Sequence, residues 1–313
     1  FRSVVEEGEG TGMKKQNKNK IKEGNRAVTA VLYILAAIAA FITLYPMYYV
    51  LILSLSEPAY AATMRVYLVP KGFNLSAFQV LVTDMKMWRA YANTVLYVVP
   101  TTILMIATST VVAFGLNYKK LMGRKFLTMF LLIPMYFAGG TIPSFLLIVK
   151  LGLYDSPFSQ VIPACFSIWN IILVKAYFRS IPESLTEAAR IDGASLLQVL
   201  LKVFVPLGKP IFAVLAVYTI VGVWNSWFSA MLYLPHTEWQ PLQMYLRRIL
   251  VESKQTLTQV MDAATAKELA MRQLSNAQLK YAMIIFTTLP VLCTYPFFQK
   301  YFVKGMVLGS LKE

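Results

Sequence analysis

The 313-residue sequence is poor in charge, with 30 basic and 15 acidic side chains making up 14% of the chain, where an ordinary soluble domain carries about 25%. So few charges cannot cover a water-facing surface. The sequence holds one histidine, His236, and two cysteines, Cys165 and Cys293. A His-rich metal site and an intramembrane Ser/His hydrolase are therefore poorly supported. Two thiols this far apart offer no metal-ligand spacing and read as small apolar packing residues. No GxxxxGK[ST] phosphate loop occurs: Gly208-Lys209 is followed by Pro210, and Val203 stands where the first glycine would be. This chain does not hydrolyse ATP by that route.

What is abundant is apolar. Hydrophobic residues reach 57%, and disorder or nucleic-acid binding is disfavoured despite a net charge of +15. A helix needs roughly 20 apolar residues to cross a bilayer core. Six windows qualify: Ala27 to Ser56, Tyr91 to Leu116, Phe126 to Val149, Ser156 to Val174, Pro210 to Pro235 and Tyr281 to Gln299. The fourth and sixth hold 19 residues each, and a buried helix or re-entrant segment would look similar. The expected fold is all-α, a polytopic membrane protein of six spans with both termini on one side. None of the windows contains Asp, Glu, Lys, Arg or His, groups that ion-coupled carriers usually keep along an internal pathway. If the chain transports, its energy comes from elsewhere.

Orientation follows from the basic residues between spans. With the amino terminus in the cytoplasm, 19 of the 30 Lys and Arg fall inside, and six of the other 11 lie in one long outer loop, His236 to Lys280. Both termini are expected in the cytoplasm, with the protein multi-pass in the membrane and in contact with its lipid. The first apolar stretch is too long for a cleaved signal core and should stay as an anchor. Residues 1–25 read as a basic cytoplasmic tail and 26–313 as the transmembrane domain. Within the tail, FRSVVEEGEGTG contrasts with the lysine-rich run from Met13, and Met13 is the expected natural start.

Several spans carry helix-disrupting residues, namely Pro46, Pro100, Pro134, Pro143, Pro163, Pro290, Pro296 and the pair Gly139-Gly140. Such breaks persist where neighbouring helices or a watery cavity satisfy the freed backbone. They suit a bundle with a movable interior, although prolines and glycines are also simply commoner in membrane helices.

The connection between spans four and five, KAYFRSIPESLTEAARIDGASLLQVLLKVFVPLGK from Lys175 to Lys209, is the most informative segment. Ser180 with Glu183 has capping-box spacing and Pro182 lies in the first turn, which predicts a helix start. Asp192-Gly193 supplies its stop. Ser195 with Gln198 repeats the capping spacing, and a second, apolar helix is predicted to about Phe204, before Pro206 and Pro210. On the first helix Leu185, Ala188 and Ala189 share a face that another backbone could approach closely, flanked by Glu183, Glu187 and Arg190. An ordinary amphipathic helix on the headgroups would read similarly.

The pattern Glu187-Ala188-Ala189, three residues, Gly193, nine residues, Val203-Phe204-Val205-Pro206 resembles the EAA signature of permease subunits in binding-protein-dependent ABC importers. That signature is commonly EAA, three, G, nine, I, one, LP; here Val203 replaces Ile and Val205 replaces Leu. Ile181-Pro182-Glu183, Ile191 to Ser195, Trp224-Asn225, Asn93-Thr94 and the ending YPFFQKYFVKGMVLGSLKE are similar to carbohydrate-uptake permeases of the maltose-transporter type, with their MetI-like transmembrane fold. The resemblance runs from about Arg26 to Glu313 and extends to the smaller permease of lipoprotein-dependent oligosaccharide importers of Gram-positive bacteria.

The resemblance implies a role for each part. Glu183, Glu187, Ala188, Ala189, Arg190, Asp192 and Gly193 would form a coupling helix seated in a cytoplasmic ATPase subunit. Partners would be a second permease, two ATPase subunits that bind ATP and Mg, and an extracytoplasmic solute-binding lipoprotein. This chain would carry no cofactor and no catalysis, and it would have no nucleic-acid partner. The tail residues Ser310, Leu311 and Lys312 would reach the ATPase dimer. Aromatic rings stack on sugars and amides bond their hydroxyls, so Trp169, Asn170, Trp224, Asn225 and Trp227 are candidate oligosaccharide contacts. Tryptophans near span ends also serve as interface anchors. An ion-coupled secondary carrier and a non-transporting scaffold are the alternatives from other classes.

Overall fold

The structure, a computed structural model, describes residues 26–137, 139–255 and 263–310. Among the described residues every regular element is helical. Two units divide at Tyr49/Val50. The first contains most of α1 (Arg26–Ser54), an apolar helix whose side chains are largely exposed. Phe41, Tyr45 and Tyr49 stack along it at 5.7 and 6.0 Å.

The second unit is organised by α4 (Met85–Asn117), 33 residues long and so about 50 Å from end to end. Against it pack α8 (Ile168–Arg179) and α12 (Lys209–Trp224), and α15 (Ala263–Ser310) packs on α12. The buried face of α4 carries Asn93, Thr94, Thr101, Thr102, Ser109 and Thr110 among its apolar residues. Small hydroxyl side chains let helices approach closely in lipid. They also return protons to their own helix: Thr94 donates to the Ala90 carbonyl at 3.0 Å and Thr102 to that of Val98 at 2.7 Å. Two apolar clusters lie along α4. Leu81, Met87, Val98, Trp224, Leu242 and Met283 pack toward its start. Met105, Val174, Phe178, Leu200, Phe204 and Leu215 pack toward its end.

Side-chain amides and hydroxyls fix the irregular segment at the first end. The Asn93 amide donates to the carbonyls of Glu238 (2.7 Å) and Gln240 (3.1 Å), and the Tyr97 hydroxyl to that of Trp239 (2.6 Å). The Leu242 N–H donates to the Thr94 hydroxyl at 2.8 Å, at the start of α14 (Leu242–Gln255). Asn93-Thr94 is thus a backbone clamp. Buried Gln278 on α15 does the same for an earlier loop, donating to the carbonyls of Ser54 and Asn74 at 3.2 and 3.1 Å.

Among the described residues four helices are long and apolar enough to cross a membrane: Val28–Ser54, Met85–Asn117, Phe158–Arg179 and Ser275–Gln299. Two further pairs pass together but are bent. Arg124–Tyr136 and Thr141–Lys150, α5 and α6, meet at 113° where Gly139 and Gly140 fall. Gly140 has φ +90°, which favours glycine. In the fifth window α12 ends at Trp224 and the short α13 (Phe228–Tyr233) follows.

The other bent pair joins Leu196–Leu207 to Lys209–Trp224 at 74°. The first arm does not stop before Pro206, as the sequence suggested. It runs as α10 (Leu196–Val199), a π turn (Leu200–Phe204) and α11 (Val205–Leu207). In a regular α-helix the Pro206 ring would strike the carbonyl of Lys202; a widened turn there admits the ring and keeps the helix going. Gly208 then makes the corner. A Cβ on it would lie 2.8 Å from the Phe204 carbonyl oxygen and 2.7 Å from the Phe212 ring. Gly208→Ala should therefore destabilise the protein by about 1–3 kcal/mol, read as a lower thermal midpoint in detergent. An unchanged midpoint would contradict this packing.

Candidate functional site

The segment carrying the EAA pattern folds as one short, sharply bounded helix, α9 (Glu183–Ile191). Ser180 does not cap it. That residue ends α8, its hydroxyl donating back to the Tyr177 carbonyl at 2.7 Å. Pro182 is the N-cap instead, with φ −57° and ψ 131° and no side-chain cap bond. Its extended backbone and ring outcompete the predicted box, because Ser180 is still held in the last turn of the previous helix.

The C-terminus of α9 is closed as the sequence predicts. Gly193 has φ +80°, its N–H donates to the Arg190 carbonyl at 3.1 Å, and the Ala194 N–H donates to the Ala189 carbonyl at 2.9 Å. These two bonds form the Schellman pattern, which needs a left-handed residue at that place. Nothing lies within 4 Å of where a Gly193 Cβ would be, so conformation rather than space demands glycine. Two residues on, Ser195 and Gln198 complete a capping box, with bonds of 3.3 and 2.8 Å. One helix ends and the next begins within four positions, with their end groups bonded.

The helix divides into two faces. Ala189, with Ile181 and Ala194, packs on the cluster around Phe178 and Phe204. Ala189 thus turns toward its own chain and does not share the free face with Leu185 and Ala188. The exposed stripe is Leu185, Ala188 and Ile191; Ile191 is 86% exposed. The face read from the sequence, Leu185, Ala188 and Ala189, omits Ile191. Ile191 is the last residue of α9, three and six positions after Ala188 and Leu185, so the helical period sets it on the same outward side. Glu187, Arg190 and Asp192 are exposed beside the stripe. Glu183 pairs with Lys119 at 2.5 Å, and the Arg190 guanidinium lies 5.8 Å from the Tyr118 ring centre.

The candidate sugar contacts separate by exposure. Trp224 is buried, its indole donating to the Thr287 carbonyl at 3.0 Å and its ring set edge-on to Tyr91. Asn170 is buried with its amide toward the Met105 sulfur. Both are packing residues here. Trp169, Asn225 and Trp227 are exposed. Asn225 accepts from the Gln243 amide at 3.2 Å, and the Arg247 guanidinium stands 5.2 Å from the Trp227 ring centre. α14 thus brings a second amide and a cation to Asn225 and Trp227, a pairing across a loop that spacing alone does not reveal. Trp169 and Asn170 form no hydrogen bond or ring contact with that group. Leu311 and Lys312 lie outside the described residues, and Ser310 is described only as the last residue of α15. Among the described residues no group of three His, Cys, Asp or Glu could hold a metal ion.

No protein-family model matches the chain. Protein LplC of Bacillus subtilis is 33% identical over 273 residues, covering 87% of this chain and 90% of LplC. The polygalacturonan/rhamnogalacturonan transport system permease protein YtcP of the same organism is 31% identical over 288 residues, covering 92% and 99%. A solved structure superposes with a TM-score of 0.79 at 34% identity, covering 90% of this chain and 98% of that one: a bacterial ABC transporter involved in the import of the acidic polysaccharide alginate. A bent-span helical bundle with α9 standing off one face is the membrane-spanning part of an importer, a transport subunit and not an enzyme. The chain belongs to the family of carbohydrate ABC transporter permeases.

The closed end of α9 is testable without transport. A non-glycine residue in the left-handed region costs about 1–2 kcal/mol, and asparagine bears it better than most. Gly193→Ala should raise amide exchange at Arg190 to Ala194 more than Gly193→Asn does. Equal exchange in both variants would contradict the Schellman assignment.

Proposed function

We propose that this chain is one of two different permeases in a plasma-membrane importer, with residues 26–313 as its transmembrane domain, residues 1–25 as a tail and both termini cytoplasmic. Two ATPase subunits, holding ATP and Mg, drive it, and an extracytoplasmic lipoprotein delivers an oligosaccharide. α9 is the coupling helix. The observation that carries this role is the apolar stripe Leu185–Ala188–Ile191, left in water on a helix whose end is locked by Gly193 and whose inner face is anchored by Ala189. A large exposed isoleucine beside Glu187 suits a groove in another protein, because burying such a side chain is worth about 1.5–3 kcal/mol. The short capped helix moves as a body, so displacement of the ATPase passes to α10 and to the corner at Gly208. Ser310, Leu311 and Lys312 are assigned a supporting contact with the ATPase dimer.

The substrate class we infer is an acidic oligosaccharide. The names of YtcP and of the alginate importer support it, and so does the exposed group of Trp227, Asn225, Gln243 and Arg247, which offers a ring face, two amides and a guanidinium with no carboxylate partner among the described residues. Trp169 is a further exposed ring, set apart from that group. The outer loop from His236 faces the lipoprotein in this arrangement.

In proteoliposomes holding the assembled transporter, uptake should require ATP and the binding protein. Ile191→Ser or Glu187→Lys should weaken ATPase docking about tenfold or more and lower uptake to match, with membrane insertion unchanged. Uptake driven by an ion gradient alone, or normal ATP-driven uptake in both variants, would overturn the proposal.

A further inference from the structure

Behind α9 lies a cavity of about 530 Å3, bounded by the end of α4, the turn that follows it, the start of α5 and the end of α8. Five cations line it: Lys119, Lys120, Arg124, Arg179 and Arg190. Two carboxylates face them, Glu183 and Glu187. Glu183 is taken by Lys119, and among the described residues no carboxylate pairs with Lys120, Arg124, Arg179 or Arg190. The Arg124 guanidinium reaches only the Asn117 carbonyl, at 3.5 Å. With Glu183 taken, Glu187 is the one remaining carboxylate lining the cavity against four cations, an excess of positive charge that a bound anion would offset.

The cavity's level in the membrane is fixed by its walls. Two membrane-crossing helices end at it, Met85–Asn117 and Phe158–Arg179, and the bent pair Arg124–Tyr136 with Thr141–Lys150 begins at it. It therefore lies where hydrocarbon gives way to water. Its lining also includes Phe114, Phe178 and Phe204, rings in edge-to-face contact at 5.1 and 4.9 Å. Cations at the rim above an aromatic wall suit an amphiphile whose anionic end is a phosphoryl group, since guanidinium and ammonium groups both bind phosphoryl oxygens, and basic pockets between spans hold lipid headgroups.

We propose that this cavity is a binding site for a phosphoryl anion, filled by the headgroup of an anionic phospholipid. The bound headgroup would rest between Lys120 and Arg179 on one side and Arg190 of α9 on the other, so its occupancy would steady α9 against the bundle. The proposal is independent of the transport reading: a chain with no ATPase partner would still hold the lipid.

The test uses the full chain in nanodiscs of phosphatidylcholine alone or mixed with phosphatidylglycerol, reading retained lipid by native mass spectrometry and stability by thermal midpoint. Phosphatidylglycerol should be retained in preference to phosphatidylcholine and should raise the midpoint. Lys120→Gln and Arg179→Gln, both exposed positions, should each weaken retention about fivefold, while Lys120→Arg with Arg179→Lys keeps it. In phosphatidylcholine discs, inorganic phosphate that raised the midpoint as far and stripped added phosphatidylglycerol would support a phosphoryl site and overturn the lipid as its source. Equal retention of the two lipids, or retention untouched by neutralising both cations, would overturn the proposal.

Discussion

A left-handed backbone at Gly193 is the constraint that ends α9 at a fixed place. Were the helix to continue past Ile191, its apolar positions would turn back toward the bundle with the usual 3.6 period. The chain instead closes on itself through the Gly193 and Ala194 N–H groups and restarts at the Ser195 capping box. Within α9 the helical period leaves Leu185, Ala188 and Ile191 outward while Ala189 stays in the cluster. A fixed helix end gives the exposed stripe a definite direction, which a flexible loop could not.

The same logic of closed backbone ends runs through the rest of the molecule. In hydrocarbon an unbonded N–H or carbonyl costs several kcal/mol, yet the described residues include two 3-10 turns, a π turn and two sharp bends. Polar side chains bond the backbone at several irregular places. Asn93, Tyr97 and Thr94 satisfy the turn after His236. Gln278 satisfies the carbonyls of Ser54 and Asn74. The Tyr177 hydroxyl donates to the Leu207 carbonyl at 3.0 Å, just before the corner at Gly208. Irregular backbone is therefore concentrated where polar side chains can reach it, and helix α4 supplies many of them.

Much of this was legible in the sequence, and the unevenness has physical causes. Uncharged windows mark long helices because the bilayer sets their length. Glu187 to Gly193 and Ser195 with Gln198 identify α9 and its successor because caps are local chemistry. Pro206 misled, since its effect on a helix depends on whether a widened turn can admit the ring, and that is decided by packing around Phe204. Ser180 misled because two helices competed for it. The divided roles of Trp224, which is buried, and Trp227, which is exposed under Arg247, could not be read from residue type: both are tryptophans three positions apart, and only the loop returning as α14 separates them. The cavity of cations behind α9 draws residues from three separate segments, so no single motif announces it.

The claim that organises these observations is that the outward stripe of α9 meets another protein on the cytoplasmic side. A photo-crosslinking residue placed at position 191 of the chain in living cells tests it most directly. The account predicts one dominant adduct, with the ATPase subunit, that disappears when the same probe replaces Ala189. An adduct with lipid alone, or with an extracytoplasmic protein, would contradict it.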